Sequence, residues 1–578
     1  MLSQARGEIL LDDVIAAGVL EEAHRLPRQR LGDTWGEGYK LVAGLEGAWQ
    51  IGATRVRVGV GLSHNFPAKL PHVFLLSRDE SKFIPHIEED GHVCCFEAEG
   101  LVLDLRRPAS ILRETLEKAR RTIEAGLSRS NRRELFEECE AYWSSSTRIL
   151  CNVAPDDVLR YVTVFSGACS GVADNRCAFD EVSYRIRGTG LTEQKGTYVP
   201  LETTIFDEPN FHPRKVDSIQ ALRAIIRKHI SSENRKRLRH AARARGDRAF
   251  VLLGIPKPGG DRALLGLWLR NIESRQPLLD DTASGKVERV RLERSDPDVL
   301  RGRVASAPSV KDAHVILIGC GSVGGHVATS LAWAGVGKLT LVDDDEFQPA
   351  NTFRHTLGRG GVLTKSKVAA LKQELELKVP GINVNAVKST IEFALDRGTV
   401  KLDSSSLLLV TIGNPTACLA LNSRFIEHPG APPVIFTWIE PYGVGGHAVL
   451  TNTRDAGASG CFECLFRDDP EFGLINTADF AAPGQLFGKQ NLGCSGAFIP
   501  YGDLDARETA TMAARLALDT LRRRQRGHVL RSWKGDATDF REAGFQTSSR
   551  YDLDEQVLRE RGKSFGRQGC RCCRGGST

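Results

Sequence analysis

The order of apolar and polar positions divides the chain into three regions. Before about residue 150, short apolar runs alternate with polar turns, and ILRETLEKARRTIEAGL repeats apolar residues at the spacing of an amphipathic helix. Residues 151–304 have a mixed pattern, with a strand over AFVLLGI and a basic helix over residues 227–248. From residue 305 onward, apolar strands such as HVILIG, KLTLVD and LLLVTI alternate with helical segments. This last pattern predicts an α/β fold with a mainly parallel sheet between layers of helices.

The composition is that of an ordinary globular protein, with 41% hydrophobic and 26% charged residues among 578. No apolar run approaches membrane-spanning length, and the N-terminus lacks the apolar core of a signal peptide, so we expect a cytoplasmic protein with no membrane partner. The net charge of +6 is concentrated in residues 227–248. No aromatic residues are interleaved there for base stacking, so we predict a solvated helix and no nucleic-acid partner.

A glycine-rich turn predicts a nucleotide site. The strand HVILIG leads into Gly319, Gly321 and Gly324, and the strand KLTLVD ends at Asp343. The first glycine permits a tight turn, the second lets backbone approach the nucleotide, and the third lets helix pack on strand. Amides at the start of the new helix favour an anion, and Asp343 could hold ribose hydroxyls. By itself this pattern suits NAD as well as ATP.

The residues that follow favour adenylation over redox chemistry. Asn351 and Arg354 lie in VDDDEFQPANTFRH, and Lys367 comes shortly after. A hydride-transfer enzyme has no need for clustered cations beside its phosphates. Cations there would neutralise the charge that grows on a polyphosphate as a carboxylate attacks the α-phosphorus. The alternative is an ordinary βαβ turn with surface charges.

This pattern resembles the ThiF family, which activates ubiquitin-like and sulfur-carrier proteins and typically reads VDxDxVxxxNxxR before a lysine in the next helix. The matching positions here are Asp343, Asp345, Phe347, Asn351, Arg354 and Lys367. The resemblance implies a Rossmann-like adenylation domain. It also implies that Asp343 contacts the ribose of ATP and that Asn351, Arg354 and Lys367 contact its phosphates.

The chain departs from this family after the strand LLLVTI. The family usually has Asp-Asn there, with the aspartate serving Mg²⁺-ATP, whereas this chain has Gly413 and Asn414. Either Asn414 or a nearby carboxylate such as Asp345 takes that role, or the metal is held differently.

Fourteen cysteines are spread over a large chain without a signal sequence, which favours thiol chemistry and metal binding over disulfides. Cys461 and Cys464 form one CxxC, and Cys570 and Cys573 form another. Four thiolates at this spacing suit a structural, tetrahedral Zn²⁺ that would pin the C-terminal tail, and ThiF-family enzymes often carry such pairs. Cys572 leaves the ligand set open, and an unmetallated, reduced tail is the alternative.

Cys494, in NLGCSGAFIPYG, lies where related enzymes place a cysteine that receives the activated acyl group. A glycine-flanked loop provides exposure and mobility, so we expect Cys494 to be the first acyl carrier. The alternative is a small buried cysteine beside an apolar helix.

The run FIPHIEEDGHVCCF resembles the active-site segment of ubiquitin-conjugating enzymes, in which a His-Pro-Asn-Ile motif precedes the catalytic cysteine by a short loop. The resemblance implies an N-terminal α+β domain with Cys94, rather than Cys95, as its nucleophile. His86 stands where the family has an asparagine that supports the oxyanion; imidazole can donate a hydrogen bond or move a proton, so its role is open. The alternative is an Asp-Gly turn between two strands with incidental cysteines.

Together these motifs predict a ubiquitin-conjugating-like domain over residues 1–150, a linker or inactive adenylation-like domain over 151–304, and an active ThiF-type domain with a zinc-binding tail over 305–578. ATP and Mg²⁺ would convert a protein's C-terminal carboxylate into an acyl-adenylate. Cys494 would displace AMP, and Cys94 would take the acyl group before a target amine receives it.

Such a fusion is similar to enzymes of bacterial cyclic-oligonucleotide anti-phage (CBASS) operons. That resemblance implies a homodimer, a cGAS-like nucleotidyltransferase as acyl donor, target proteins whose amines accept it, and a partner isopeptidase. The other possible acyl donor is a ubiquitin-like protein. Two alternatives remain: a sulfur-carrier protein adenylyltransferase, which has no use for Cys94, and a non-catalytic scaffold that binds nucleotide without turnover.

Overall fold

The structure is a computed structural model. It describes residues 2–35, 37–77, 84–96, 100–143, 147–166, 170–174, 192–205, 216–241, 246–304, 307–363, 366–452, 460–490 and 497–573. The chain forms two compact units, Met1–Arg294 and Ser295–Thr578. Among the described residues, no helix combines the length and the apolar character needed to cross a bilayer.

The first part of Met1–Arg294 is an antiparallel sheet covered by helices. Its strands, in spatial order, are β1 (Glu21–Arg25), β2 (Leu41–Ile51), β3 (Thr54–Ser63) and β4 (His72–Leu75). The helices of this part are α1 (Gln4–Ala16), α2 (Arg28–Trp35), α3 (Pro108–Ser128) and α4 (Arg132–Tyr142). The predicted amphipathic helix is α3: its residues Leu112, Leu116, Ala119 and Ile123 are fully buried in the core that it shares with the sheet. Spacings of three and four place these side chains on one helix face, so hydrophobic burial joins α3 to the sheet.

The second part of this unit is a closed barrel of seven strands. These are β5 (Arg148–Asn152), β6 (Arg160–Ser166), β7 (Gly171–Ala173), β8 (Thr192–Pro200), β9 (Arg248–Pro256), β10 (Arg262–Arg270) and β11 (Lys286–Arg294). The run AFVLLGI lies in β9 as predicted. The basic residues 227–248 do not form one helix: they include the end of α5 (Ile219–His229) and all of α6 (Ser232–Ala241), and β9 begins at Arg248. The single-helix prediction is therefore wrong, because the buried Ile230 adopts an extended conformation between the two helices.

Ser295–Thr578 is built on a seven-stranded sheet. In spatial order its strands are β14 (Asn383–Val387), β13 (Lys338–Val342), β12 (His314–Ile318), β15 (Leu407–Val410), β16 (Val434–Ile439), β17 (Gly445–Thr451) and β22 (Val529–Lys534). The first five are parallel, and β17 pairs antiparallel with both β16 and β22. Short pairs are formed by β18 (Phe466–Asp469) with β19 (Gly473–Asn476) and by β20 (Lys489–Gln490) with β21 (Ala497–Phe498).

Helices cover both faces of this sheet. They are α7 (Pro297–Gly302), α8 (Ala307–Val310), α9 (Ser322–Trp333), α10 (Lys367–Lys378), α11 (Ile391–Asp396), α12 (Pro415–Glu427), α13 (Asp503–Leu521), α14 (Thr538–Glu542) and α15 (Glu555–Arg561). Short 3₁₀ helices are Glu37–Tyr39 in the first unit and Pro349–Asn351, Gly358–Leu363, Leu402–Ser404, Pro441–Gly443 and Phe462–Leu465 in the second. One core lies between the sheet and α9, α10 and α13, and a second lies between the opposite face and α11 and α12. The two-layered burial explains why the central strands β12 and β15 are buried along their whole length.

Candidate functional site

The glycine turn after β12 is tightly packed at two of its three predicted glycines. Gly319 has a φ of +91°, which favours glycine. A Cβ on Gly324 would lie 2.6 Å from Thr411 Oγ1 and would collide with the carbonyl oxygen of Gly319. Gly321 is the N-cap of α9, and no described atom lies within 4 Å of the position that its Cβ would take. Packing therefore requires the first and third glycines, whereas the second faces open space.

A cavity of about 290 Å³ lies beside this turn, at the carboxyl ends of the parallel strands. The chain places β13 on one side of β12 and β15 on the other, and ligands of open α/β sheets bind at such a switch point. The predicted residues that line the cavity are Gly319, Gly321, Asp343, Asp345 and Lys367. The sequence analysis missed other lining residues, among them Ser389, Thr390, Glu392 and Thr411. These residues follow β14 and β15. Their position after strands of the parallel sheet could have indicated that they lie at the same edge of the sheet as Asp343.

Charged groups concentrate at the edge of this cavity. Lys367 is the first residue of α10 and only 8% exposed, and its Nζ lies 2.7 Å from Asp345 Oδ2. Asp343 accepts the backbone N–H groups of Cys320 and Asp345 at 2.5 and 2.8 Å, while burial raises the pKa of its carboxyl. One carboxylate oxygen from each of Asp343, Asp344 and Asp345 lies within 4.8 Å of the others. Such a cluster of oxygens has the donor chemistry that Mg²⁺ prefers.

Besides Gly324, three predicted residues are not among the described residues that line the cavity. Asn351 accepts a backbone N–H within its own turn at 2.9 Å. Asn414 caps α12, its Oδ1 accepting a backbone N–H at 3.1 Å. Arg354 is half-buried as a residue, and its guanidinium carbon lies 5.0 Å from the ring centre of Tyr501. The structure thus brings Lys367, but not these three side chains, to the cavity wall.

His355 supports the glycine turn and was not selected from the sequence. It is buried, its Nε2 lies 2.9 Å from the carbonyl oxygen of Cys320, and its Nδ1 accepts the N–H of Leu357 at 3.2 Å. Because Nδ1 is an acceptor, Nε2 carries the hydrogen and donates it to Cys320. Burial lowers the pKa of His355 to about 4, so the ring is neutral near pH 7. Its position directly after the predicted Arg354 was the available signal.

A second cavity, of about 1010 Å³, lies next to the first. The segment 412–417 contributes residues to the linings of both. Aromatic side chains that line the larger cavity are Phe436, Trp438, Phe462, Phe466, Phe472 and Phe487. Glu440 is a buried polar group in its lining: it accepts the N–H groups of Phe480 and Ala481 at 2.7 and 2.8 Å, and its Oε1 lies 2.7 Å from His447 Nε2. The cavity therefore combines aromatic walls with a polar lining of similar extent.

The four cysteines of the two CxxC pairs form one cluster. Their Sγ atoms lie within 4.8 Å of one another, with 3.9 Å between Cys461 and Cys464, 3.7 Å between Cys461 and Cys570, and 3.6 Å between Cys464 and Cys573. Sulfurs around a tetrahedral zinc with Zn–S bonds of about 2.3 Å are about 3.8 Å apart. The cluster fits a Zn²⁺ ion. Cys572 instead contacts the side chains of two α12 residues.

Cys94 lies at the end of a short hairpin. Its N–H donates to the carbonyl oxygen of His86 at 2.8 Å, and the turn contains Gly91 with a φ of +92°. The thiol of Cys94 is exposed, whereas that of Cys95 is half-buried, and burial raises the pKa of Cys95 to about 11. The hairpin itself agrees with both hypotheses made for this segment. The exposure favours Cys94 over Cys95 as a nucleophile.

Helix α4 holds His86 in place beside Cys94. His86 has a φ of +62°, and its N–H donates to the phenolic oxygen of Tyr142 at 2.8 Å. Its Nε2 lies 2.9 Å from Glu134, and its Nδ1 lies 3.4 Å from Glu138. A left-handed conformation at a non-glycine residue costs about 1–2 kcal/mol, which these contacts help to offset. The sequence analysis missed all three α4 residues, although their spacing of four is a signal for one helix face.

The predicted acyl carrier Cys494 lies outside the described residues, in the segment 491–496 between β20 and β21.

Family comparisons match both chemical regions of the chain. Residues 303–495 match the ThiF family, and residues 43–150 match the prokaryotic E2 family B. The first range contains the glycine turn and its cavity, and the second contains the Cys94 hairpin. The predicted resemblance and fold class are confirmed. The chain is an E1-like (ubiquitin-activating-like) adenylyltransferase fused to an E2-like (ubiquitin-conjugating-like) transferase.

The chain is similar over most of its length to the ATP-dependent ubiquitin transferase-like protein Cap2 of Pseudomonas aeruginosa (strain BWHPSA011 / Pa011). The two are 23% identical over 453 residues, which is 75% of this chain and 79% of Cap2. It is 30% identical over 166 residues to the sulfur carrier protein ThiS adenylyltransferase of Escherichia coli (strain K12), or 28% of this chain and 61% of that enzyme. Among solved structures, E. coli MccB with AMPCPP and MccA has 18% identity and a TM-score of 0.32, covering 46% of this chain and 68% of MccB.

Proposed function

We propose that the chain activates the C-terminal carboxylate of a protein as an acyl-adenylate, passes the acyl group to Cys494 and then to Cys94, and joins it to an amine of a target protein. The observation that carries this proposal is the presence in one chain of a glycine-turn cavity with a buried lysine and of an exposed cysteine on a hairpin in the E2-like region. A sulfur-carrier adenylyltransferase would use only the first of these.

ATP would occupy the smaller cavity. The open space at Gly321 and the N-terminus of α9 favour phosphate, and the cation of Lys367 is already oriented at the cavity edge. Asp343 would contact the ribose of ATP, and Asp345 would hold Mg²⁺, which neutralises charge on the polyphosphate when bound. Arg354 lies against Tyr501, which follows Cys494 in the chain. It would stabilise the phosphate group of AMP, which leaves when Cys494 attacks the acyl-adenylate.

The carboxyl-terminal tail of the acyl donor would enter through the larger cavity. This cavity reaches Gly413 and Pro415, whose neighbours Ile412 and Ala417 line the smaller one. No described atom lies within 4 Å of the position that a Cβ of Gly413 would take, so the absence of the family's aspartate leaves room between the two cavities. Aromatic walls suit an extended, apolar tail, and its carboxylate would reach the α-phosphate.

The remaining parts of the proposal come from the resemblance to enzymes of CBASS operons. The acyl donor is a cGAS-like nucleotidyltransferase or a ubiquitin-like protein, the chain acts as a homodimer in the cytoplasm, and an isopeptidase reverses the conjugation. Residues 151–304, which include most of the barrel, act as a linker or inactive adenylation-like domain. The cluster of Cys461, Cys464, Cys570 and Cys573 holds a structural zinc that fastens the C-terminal segment to α12 and the sheet.

The test is a non-reducing gel of the full chain with ATP, Mg²⁺ and a cGAS-like nucleotidyltransferase, run beside the same donor without its last residues. The intact donor should form adducts that a thiol reductant removes. Cys94→Ala should trap the acyl group on Cys494, and Cys494→Ala should retain ATP–pyrophosphate exchange but form no adduct. Cys95→Ala is the matched control and should behave as wild type.

Each alternative gives a different result. Wild-type product formation by Cys94→Ala would favour a sulfur-carrier adenylyltransferase. Absence of pyrophosphate exchange with either donor would favour a nucleotide-binding scaffold. Adducts that form equally well with the truncated donor would contradict activation of the C-terminal carboxylate.

A further inference from the structure

Helix α4 is anchored to the barrel. The indole Nε1–H of Trp143 donates to the carbonyl oxygen of Gly266 at 3.0 Å, and Trp143 is only 2% exposed. Glu140 Oε1 accepts the N–H of Leu264 at 2.7 Å and pairs with Arg294 at 3.0 Å. These contacts reach β10 and β11, so one side of α4 is fixed to the barrel wall.

The other side of α4 contacts the Cys94 hairpin. Glu134, Glu138 and Tyr142 follow one another at intervals of four and therefore share one helix face. Tyr142 accepts the N–H of His86 and donates its own hydroxyl hydrogen to Glu138 Oε2 at 2.5 Å. Both ring nitrogens of His86 face the carboxylates of this helix. The barrel thus supports an acidic wall next to Cys94.

Negative charge next to Cys94 has a chemical consequence. Partial burial, and after it the charges of Glu88 and Glu138, raise the pKa of Cys94. These surroundings disfavour a thiolate, but they favour a cation close to the sulfur. A lysine side chain approaches as an ammonium cation and must lose a proton before its nitrogen can attack.

We propose that Glu134 and Glu138, with His86 between them, form the binding site for the acceptor ammonium group, and that the barrel positions this site through α4. The proposal rests on the proposed function, since it requires an acyl group on Cys94. It names the residues that would bind the amine acceptor of the proposed function. Tyr142 is a positioning residue, because it acts through Glu138 and through the backbone of His86.

The transfer of the acyl group from Cys94 to the amine conserves atoms and charge. The ammonium group gives one proton to the Glu138 carboxylate, and the neutral nitrogen attacks the thioester carbonyl carbon. The C–N bond forms, the C–S bond breaks, and the sulfur of Cys94 leaves with the electron pair. A second proton from nitrogen ends on that sulfur, and Glu138 releases its proton to water. Thioester and ammonium thus become amide, thiol and one free proton.

The experiment uses the full-length chain acylated by a short glycine-terminated peptide supplied as its mercaptoethanesulfonate thioester, so that adenylation is not needed. Peptide mapping by mass spectrometry locates the acyl group on Cys94, with Cys94→Ala as the blank. The acylated protein is then chased with lysine or with hydroxylamine, which is neutral and carries no ammonium charge. Glu138→Gln should slow discharge to lysine by about 100-fold, within the range of general-base catalysis, and leave discharge to hydroxylamine near wild type.

Glu137→Gln is the matched control. It removes the same charge from α4, but Glu137 is exposed and pairs with Arg133 at 3.3 Å. Both discharge rates should stay at wild-type values. Glu138→Asp, which keeps a carboxylate, should recover part of the lysine discharge and shows that the loss is not a folding defect.

Three results would overturn the proposal. Equal slowing of lysine and hydroxylamine by Glu138→Gln would assign the residue a structural role. No slowing of either would remove it from the site. If Cys94 in the wild type takes up no acyl group, the relay is wrong, and the acceptor site is wrong with it. If Cys94 is acylated but Glu138→Gln affects discharge to lysine and to hydroxylamine alike, only the acceptor site is wrong.

Discussion

Alanine substitutions at two glycines of the turn should separate packing from ligand space. Gly324→Ala would place a Cβ 2.6 Å from Thr411 Oγ1 and onto the carbonyl oxygen of Gly319. Overpacking of this kind costs about 1–3 kcal/mol. Loss of the 2.7 Å hydrogen bond from Thr411 to Gly319 costs about 1 kcal/mol, and the higher helix propensity of alanine offsets about 1 kcal/mol. We expect the free energy of unfolding to fall by about 1–3 kcal/mol.

Gly321→Ala should have the opposite profile. Its φ of −75° is accessible to alanine, and no described atom lies within 4 Å of the new Cβ, so stability should change by less than about 0.5 kcal/mol. The methyl group would project beside the cavity in which we place the triphosphate. ATP affinity should therefore fall by at least about tenfold, or about 1.4 kcal/mol.

Urea unfolding followed by tryptophan fluorescence measures stability, and isothermal titration calorimetry measures ATP affinity. Equal loss of stability in both variants would refute the packing argument, because Gly321 would then be as confined as Gly324. Unchanged ATP affinity in Gly321→Ala would refute the placement of the nucleotide at the start of α9.

Three further predictions concern the cation, the cysteine cluster and acid stability. Lys367→Met should abolish ATP–pyrophosphate exchange without loss of the folded state by circular dichroism, because it removes the buried cation that lines the cavity; exchange at the wild-type rate would contradict its role. Cys464→Ser should lose bound zinc in atomic absorption measurements, whereas Cys572→Ser should retain it, since that sulfur hydrogen-bonds to α12 residues; equal zinc contents would refute the assignment. Burial lowers the pKa of His355 from 6.5 to about 4, so the unfolded chain binds this proton more readily than the folded chain does. The free energy of unfolding should therefore fall by up to about 3 kcal/mol as the pH drops from about 6.5 to about 4. His355→Gln should reduce this slope in urea titrations performed across the interval, and an unchanged slope would contradict the argument.

The elements around the nucleotide cavity were predictable because their signals are local. An apolar strand, glycines at fixed offsets and a second apolar strand define β12, the turn, α9 and β13 within about 30 residues. The paired cysteines were predictable for a similar reason, since CxxC spacing is set by the geometry of a metal site. The basic stretch 227–248 was harder, because charge alone does not reveal that the buried Ile230 interrupts the helix.

Short-range pattern and backbone sterics already dictate which segments become strands, turns and helices, and they single out Cys94, Lys367 and the CxxC pairs as reactive candidates. Partners distant in the chain follow only from the packed fold. His86 meets Glu134 across 48 residues because α4 lies between a barrel and a hairpin, and Gly324 is confined by Thr411 because β12 and β15 are neighbours. Hydrogen bonds and steric contacts act over a few ångströms, so separation along the chain carries little information about them until the cores have formed.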